Sequence, residues 1–122
     1  MIGLTVMAMT LSNTFALGPR LELSDRWLDF GTLEVGEQDS QVVTVENSGD
    51  QSVEIFTVDI QGDDPFQVDG NDCERWLEPG DSCDIEVNFE PEEDGEFSAE
   101  VEIDSSIGNV EIQVSGESEY NQ

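Results

Sequence analysis

The sequence predicts an all-β fold, a sandwich of seven antiparallel strands, from two observations. First, short segments after residue 20 alternate apolar and polar residues, as in Cys83–Phe89 and Glu96–Asp104. Successive side chains of a strand point to opposite faces, so each segment has one dry face and one wet face. Second, turn-forming residues separate these segments, and no helical periodicity occurs after residue 20.

The first predicted strand, Leu21–Phe30, is bent or bulged, because its apolar residues change phase at Trp27. We expect Trp27 to pack inside the sandwich. Gly31 and Gly36 mark the link that follows, at positions that favour positive φ. The second strand, Gln41–Glu46, ends at an Asn-Ser-Gly-Asp turn.

The third predicted strand, Val53–Ile60, also changes phase. Ile55 lies on one parity and Phe56 on the other, which a β-bulge would reconcile. Phe66–Val68 follows an Asp-Pro pair and is predicted as a short edge strand. The last three strands are Cys83–Phe89, Glu96–Asp104 and Val110–Val114. Seven short strands separated by polar turns are typical of an immunoglobulin-like sandwich.

The inward positions of these strands define a predicted core of aliphatic and aromatic residues. Its members are Phe30, Val43, Val45, Ile55, Val58, Phe66, Ile85, Val87, Phe89, Phe97, Val101, Ile103, Val110, Ile112 and Val114. The outward positions carry mainly carboxylates, amides and hydroxyls. Replacing an inward residue is therefore expected to cost stability, whereas neutralising an outward acid is not.

The charge of the chain limits its partners. The 122 residues, enough for one domain, include 30 Asp and Glu against 3 Arg and no Lys, a formal charge of −27. Nucleic acids and anionic membranes require a basic patch, so both are excluded as partners. Acids spread over all strands indicate adaptation to a salty milieu, as in a halophilic or marine prokaryote, because salt screens their repulsion. The alternative is a dedicated surface for a divalent cation or a basic partner.

Residues 1–16 are predicted to be a signal peptide, followed by a single domain over residues 17–122. The segment has no charged residue and ends in Thr-Phe-Ala, which resembles an apolar region with a small-residue cleavage site, although the usual positive start is missing. The alternative is a first strand or a tail packed on the domain. The segment is too short and too rich in Thr, Ser and Asn for a membrane span, which needs about 20 apolar residues.

Cys73 and Cys83 flank a loop with Pro79-Gly80 at its turn. With an export signal upstream we predict a disulfide bond, the alternative being two reduced, half-buried thiols. The bond would stabilise the domain by about 2.5 to 3 kcal/mol. Two cysteines without a histidine are too few for the usual zinc site. Trp76 within the loop is either an exposed contact for a partner or a cap over one end of the core.

Acidic residues in the predicted loops are the candidate metal ligands of the chain. Carboxylate and amide oxygens that could meet around Ca²⁺ belong to Asp63, Asp64, Asp69, Asn71 and Asp72, and Glu92–Asp94 forms a further run. Their spacing does not match an EF-hand, and adjacency is expected by chance at this density, so a solvated acidic surface is the simpler interpretation. The sequence has no His and shows no nucleophile with a base, so we do not predict an enzyme.

A set of motifs occurs in a fixed order along the domain. They are Leu28–Gly36 (LDFGTLEVG), Val45–Gly49 (VENSG), Phe66–Cys73, Leu77–Cys83 (LEPGDSC), Phe89–Pro91 (FEP), Gly95–Phe97 and Val114–Gly116. Over residues 27–116 they resemble the ASH family, the immunoglobulin-like domains named for abnormal-spindle and hydin proteins. The resemblance implies a non-catalytic structural or adhesion module, as in exported bacterial proteins of the choice-of-anchor D type. It also implies that Cys73 pairs with Cys83.

Two functions remain open. The first is a secreted, periplasmic or cell-surface module, structural or protein-binding, that contacts a protein of the envelope or extracellular space. The second is a Ca²⁺-dependent binding module for a carbohydrate or surface polymer, which would use the loop carboxylates. Apart from Ca²⁺ we predict no cofactor.

Overall fold

The computed structural model describes residues 18–120, which form nine strands in two sheets. The strands are β1 (Leu21–Leu23), β2 (Trp27–Glu34), β3 (Asp39–Asn47), β4 (Val53–Gly62), β5 (Phe66–Asn71), β6 (Trp76–Leu77), β7 (Ser82–Phe89), β8 (Gly95–Ser105) and β9 (Gly108–Glu119). The predicted all-β sandwich is confirmed, with nine strands rather than seven. This part of the chain contains no helix long and apolar enough to cross a membrane.

The two sheets differ in how their strands are paired. The first sheet has the strand order β1-β3-β7-β5, and the second has the order β2-β9-β8-β4-β6. Neighbouring strands are antiparallel, except that β2 runs parallel to β9. The prediction of a purely antiparallel sandwich is wrong for this pair. The chain changes sheets between β1 and β2, and β2 then enters the second sheet at its edge.

The predicted first strand is therefore two strands in different sheets. Leu21 is buried on β1, whereas Leu28 and Phe30 are buried on β2. Trp27 is 66% exposed, and its indole N–H donates to Ser115 Oγ at 3.0 Å. The expectation that Trp27 packs in the sandwich is wrong, because Leu28 and Phe30, which have the opposite parity on β2, take the inward positions.

The second phase change is the predicted β-bulge. The register between β4 and β8 shifts between Ile55 and Thr57. Ile55 remains buried, while Phe56 turns outward and is 48% exposed. The predicted edge strand is also confirmed, because β5 pairs only with β7 at the edge of the first sheet. In contrast, the two-residue strand β6, which pairs with the start of β4, was not predicted.

The core lies between the two sheets, largely as predicted. The predicted core residues are buried except Phe97 and Val110, which are half-buried and pack against it. The prediction omitted Leu21, Leu28, Val53, Cys73, Leu77, Cys83 and Ala99, which are also buried.

Phe89 is the centre of an aromatic cluster at one end of the core. Its ring centroid lies 4.6 Å from that of Phe66, 5.5 Å from that of Phe30 and 6.2 Å from that of Phe97. A Cβ at Gly116 would lie 2.6 Å from a carbon of the Phe89 ring. Glycine at this position of β9 therefore makes room for the ring, which gives a physical reason for the closing Val-Ser-Gly motif.

Candidate functional site

The predicted disulfide is present between Cys73 and Cys83, whose Cα atoms lie 5.1 Å apart. Both residues are buried, with exposed fractions of 0% and 3%. The loop between them leaves the end of β5 in the first sheet, contributes β6 to the second sheet and returns to β7. The bond thus ties both ends of a segment that crosses from one sheet to the other.

Arg75 braces this loop from within. Its guanidinium donates from Nε to the carbonyl oxygen of Asp72 at 2.9 Å, and from Nη2 to that of Ser82 at 3.0 Å. A third bond joins Nη1 to the carbonyl oxygen of Trp76 at 3.3 Å. The guanidinium therefore donates hydrogen bonds to carbonyl oxygens of the loop backbone. These bonds fix the path of the chain around β6.

The orientation of β6 places Trp76 outside the sandwich. Leu77 stands opposite Val53, and both are fully buried. Trp76 stands opposite Glu54, and since neighbouring residues of a strand face opposite sides, both point away from the core. Trp76 is 54% exposed. Of the two interpretations open for Trp76, the cap over the core is wrong, because Leu77 fills that position.

Two more apolar side chains are exposed beside Trp76. Phe56 has the same outward parity as Glu54, two residues before it on β4, and so lies on the same face of the sheet as Trp76; diagonal cross-strand neighbours in a regular sheet lie about 7 to 8 Å apart. Ile107, 41% exposed, lies in the β8–β9 turn next to Ser106, whose backbone N–H donates to the carbonyl oxygen of Glu54 at 2.8 Å. We call Trp76, Phe56, Ile107 and the intervening Glu54 the Trp76 face.

Of the apolar residues of this face, only Trp76 was predicted from the sequence as a possible contact for a partner. For Phe56 a signal existed, since its phase conflict with Ile55 already predicted a bulge, and a bulge re-aims a side chain. For Ile107 the signal was an isolated apolar residue among turn-forming residues. Neither signal places these residues beside Trp76, because their proximity depends on β6, which was not predicted.

Two further carboxylates lie on the strands beyond Phe56, and neither is in an ion pair within residues 18–120. Asp104 stands opposite Thr57, just after Phe56, and Asp59 follows two residues later on β4. Among residues 18–120, the single ion pair joins Arg20 to Glu22, at 3.2 Å. These acids are therefore not in ion pairs, and Arg75, the cation beside Trp76, donates to backbone carbonyl oxygens instead.

The structure does not bring the candidate Ca²⁺ ligands into one set. Asp63 and Asp64 precede β5, whereas Asn71 and Asp72 lie at its far end, on the order of 17 Å away at the rise of a strand. Asp69, exposed, lies between them at an irregularity of the β5–β7 register. One ion cannot contact both ends of this strand.

Several of these side chains have roles in turns. Asn71 Oδ1 accepts from the backbone N–H of Cys73 at 2.9 Å, and Asp72 Oδ1 from that of Asp84 at 2.8 Å. Within the described residues, Asp72 and the two cysteines form the one close trio of potential metal-ligating atoms, and its sulfurs are joined in the disulfide.

An open acidic groove lies at the opposite end of β5. It has a volume of about 590 Å³, and it brings the Asp63–Asp64 turn beside Glu92 and Glu93, with half-buried Phe97 in its wall. Asp63 Oδ2 accepts from the backbone N–H of Ser98 at 2.8 Å, so one of these acids helps to hold the turn. Two acidic runs that are far apart in the sequence therefore lie side by side in the structure.

We expect the disulfide to be intact in the mature protein. Alkylation without a reductant should add no mass to the unfolded chain, whereas reduction first should allow both cysteines to be alkylated. Replacing both residues with Ala should lower the free energy of unfolding by about 2.5 to 3 kcal/mol, because the denatured chain regains the freedom of the loop. Two alkylated thiols in unreduced protein from its native compartment would contradict the prediction.

The two packed sheets, with a bridged loop crossing between them, define an immunoglobulin-like β-sandwich domain. The chain belongs to the HYDIN/CFA65/VesB-like family of Ig-like domains, whose family model matches residues 19–117. This family is a class of Ig-like domain rather than a catalytic one, and the match supports the predicted ASH resemblance.

Several solved structures share the fold. The ASH/PapD-like domain 7 of human CEP192 is similar at 17% identity with a TM-score of 0.64, covering 99% of this chain and 100% of that domain. A protein of unknown function from Porphyromonas gingivalis W83 is similar at 21% identity and a TM-score of 0.69, covering 87% of this chain and 50% of that one. The secreted serine protease VesC from Vibrio cholerae is similar at 20% identity and a TM-score of 0.63.

The match to VesC covers 84% of this chain but 23% of the protease, so the chain corresponds to a small part of that protein. A search of curated protein sequences finds no match. At these identities the structural likeness shows the fold alone.

Proposed function

We propose that this chain is a non-catalytic protein-interaction module that works outside the cytoplasm, in the envelope or the extracellular space, with an acidic surface suited to salt. The observation that carries the proposal is the Trp76 face. It exposes three large apolar side chains, those of Trp76, Phe56 and Ile107, and Trp76 lies in a loop held by a disulfide and by Arg75.

The extracytoplasmic location is supported by the buried disulfide and by the secreted protein in which a similar domain occurs. Disulfides persist in oxidising compartments and are rare in the cytosol. VesC and VesB from Vibrio cholerae, which contain similar domains, are proteases, and VesC is described as secreted. A domain with the same fold and a bonded cysteine pair suits the same kind of environment.

The binding role is supported by the energetics of an exposed, fixed tryptophan. Tryptophan and other aromatic residues are enriched among the few residues that dominate binding energy at interfaces. A contact residue that is already fixed loses little conformational freedom when a partner binds. The three bonds of Arg75 and the disulfide fix the backbone that carries Trp76 before any partner binds.

Site-specific photo-crosslinking in the producing cells tests this function. A photoreactive phenylalanine analogue replaces Phe56 in one sample and Val42 in the other. Both side chains are similarly exposed, 48% and 51%, but Val42 lies on β3 in the first sheet, away from Trp76. We expect a discrete adduct from position 56 in the extracytoplasmic fraction and none from position 42. Equal adducts at both positions, or reduced protein recovered from the cytoplasm, would contradict the proposal.

A further inference from the structure

We propose that the Trp76 face binds a protein segment in which Lys or Arg stands beside an apolar residue. This inference rests on the proposed function and adds the chemistry of the partner. It follows from the apolar side chains of the face, from the acids around them and from the charge of the whole domain.

The apolar part of the site consists of two aromatic residues. Trp76 lies on β6 and Phe56 on β4, and roughly half of each is exposed to solvent. Each offers an exposed ring on the same face of the sheet, against which an aliphatic side chain can pack. The indole face also attracts a guanidinium or ammonium group more strongly than any other side-chain ring.

The acidic part of the site begins directly beside the indole. Glu54 stands opposite Trp76, and side chains so placed have Cβ atoms about 4.5 to 5.5 Å apart. The backbone N–H and carbonyl oxygen of Glu54 are bonded to Ser106, which fixes the backbone of this residue. A cation seated on the indole would therefore lie within reach of a carboxylate, and Asp104 and Asp59 continue the row of acids along the sheet.

These carboxylates are available to a partner because the domain does not pair them. The nearest arginine in the sequence, Arg75, donates to backbone carbonyl oxygens of its own loop. The ion pair found within the described residues lies elsewhere, between Arg20 and Glu22. A partner cation would supply the missing charge, and bonds between ionised groups are the stronger kind of hydrogen bond.

The net charge argues against the other occupants of an apolar surface. A second copy of this chain would bring another −27 to the interface, and like charges placed together disfavour association. An anionic polymer or lipid surface meets the same repulsion. A basic segment is instead attracted to the face, over about 8 Å in 0.15 M salt and over contact distances of about 3 Å in molar salt.

The other exposed tryptophan provides a matched control. Trp27 is 66% exposed, but its indole N–H is bonded to Ser115 and its strand neighbour is Gln113. It therefore lacks both an apolar neighbour of the Phe56 kind and a carboxylate directly opposite. General attraction of a basic peptide to an acidic protein would not distinguish the two tryptophans.

The probe is the peptide acetyl-Arg-Leu-Arg-Leu-Arg-amide, with a version carrying Glu for every Arg as its control. Because the chain has 2 tryptophans, Trp27→Phe leaves Trp76 as the sole indole reporter. We expect saturable one-to-one binding that shifts the emission of Trp76, and no binding of the Glu version. Calorimetric titration of the unsubstituted protein, in about 0.15 M and about 1 M NaCl, would check the stoichiometry and the salt dependence.

Substitutions locate the binding. Trp76→Ala should weaken it about tenfold or more, and Trp27→Ala by less than about twofold. Glu54→Gln, which keeps the shape of the side chain, should weaken binding several-fold, whereas Glu86→Gln on the first sheet should leave it unchanged. Melting curves with the disulfide intact would verify that each variant is folded.

Equal losses for the two tryptophan variants, equal losses for the two glutamate variants, or no saturable binding would overturn the inference. These outcomes are distinct from failure of the proposed function. A crosslink from position 56 without binding of the basic peptide would mean that the face binds a partner of another chemistry, which overturns this inference and leaves the interaction role standing.

Discussion

Replacing Ile103 with Ala is expected to lower the free energy of unfolding by about 2 to 5 kcal/mol, since a buried side chain is lost and a cavity remains. Ile103 is fully buried on β8, the central strand of the second sheet, directly opposite Val58 on one side and Val110 on the other. Urea unfolding followed by circular dichroism would measure the change as a lower midpoint at an unchanged slope.

The adjacent residue is the control for this prediction. Glu102 points outward and stands directly opposite Asp59 on β4 and Glu111 on β9, so three acids form a row across the sheet. In about 0.15 M salt Glu102→Gln should be neutral or stabilising by a few tenths of a kcal/mol, because like charges directly opposite each other are unfavourable but are partly screened at this ionic strength. A larger loss for Glu102→Gln than for Ile103→Ala would mean that the two faces of β8 are assigned the wrong way round.

Much of this fold could be predicted because the alternation of apolar and polar residues along a strand shows which side chains face the core. Alternation in β7 and β8 fixed which residues are inward, and burial of Ile85, Val87 and Ile103 agrees with it. The bulge at Phe56 and the edge position of β5 followed from local signals, a phase conflict and a preceding proline. The cysteine pair followed from its loop and from the family resemblance.

The predictions that failed concern the sheet that a strand joins. The alternation of apolar and polar residues carries no information about this. The change of phase at Trp27 has the same appearance whether the strand bends within one sheet or crosses to the other. Parallel pairing of β2 with β9 is decided by contacts between residues distant in sequence, such as Leu28 with Val114. β6 has two residues, too few for any periodicity, and it forms because the bridged loop passes along the edge of β4.

The candidate site could be predicted only in part, again because the sequence does not show which strands become neighbours. Trp76 could be singled out from its place between the cysteines, but its exposure follows from Leu77 taking the core position opposite Val53. The groove that brings Asp63–Asp64 beside Glu92–Glu93 joins two turns well separated in sequence. Proximity of this kind requires the register of the strands, which the composition of the loops does not contain.

Monovalent salt is expected to stabilise the domain strongly. The strand register identifies the pairs of acids whose repulsion the salt would screen. Acids without an ion-pair partner in the described residues stand directly opposite each other in the second sheet, in the pairs Glu34–Glu119, Asp59–Glu102, Glu96–Glu117 and Glu102–Glu111. If each costs about 0.2 to 1 kcal/mol, the pairs together cost about 1 to 4 kcal/mol at low ionic strength. The Debye length falls from about 30 Å at 0.01 M salt to about 3 Å at 1 M, so these terms decline together.

Melting curves in rising NaCl and KCl measure this effect. We expect a smooth increase in Tm on the order of 10 °C, with the two salts acting alike at equal ionic strength, because screening does not depend on the identity of the ion. Glu102→Gln removes two of the opposed pairs at once. It should therefore raise Tm at low salt and leave it unchanged in molar salt, where the wild-type repulsion is already screened.

Addition of CaCl₂ at constant high salt separates this diffuse effect from a local site. If Asp63–Asp64 and Glu92–Glu93 bound Ca²⁺ in the groove, millimolar Ca²⁺ would raise Tm with the logarithmic dependence of a ligand that binds only the folded state. The variant Asp64→Asn, together with Glu93→Gln, would abolish that rise, whereas Glu86→Gln on the first sheet would not. Because the acids are spread over both sheets, we expect Ca²⁺ to add little once monovalent salt is present. A flat response to NaCl and KCl, joined to a steep response to Ca²⁺ that these groove substitutions remove, would favour the cation-binding module instead.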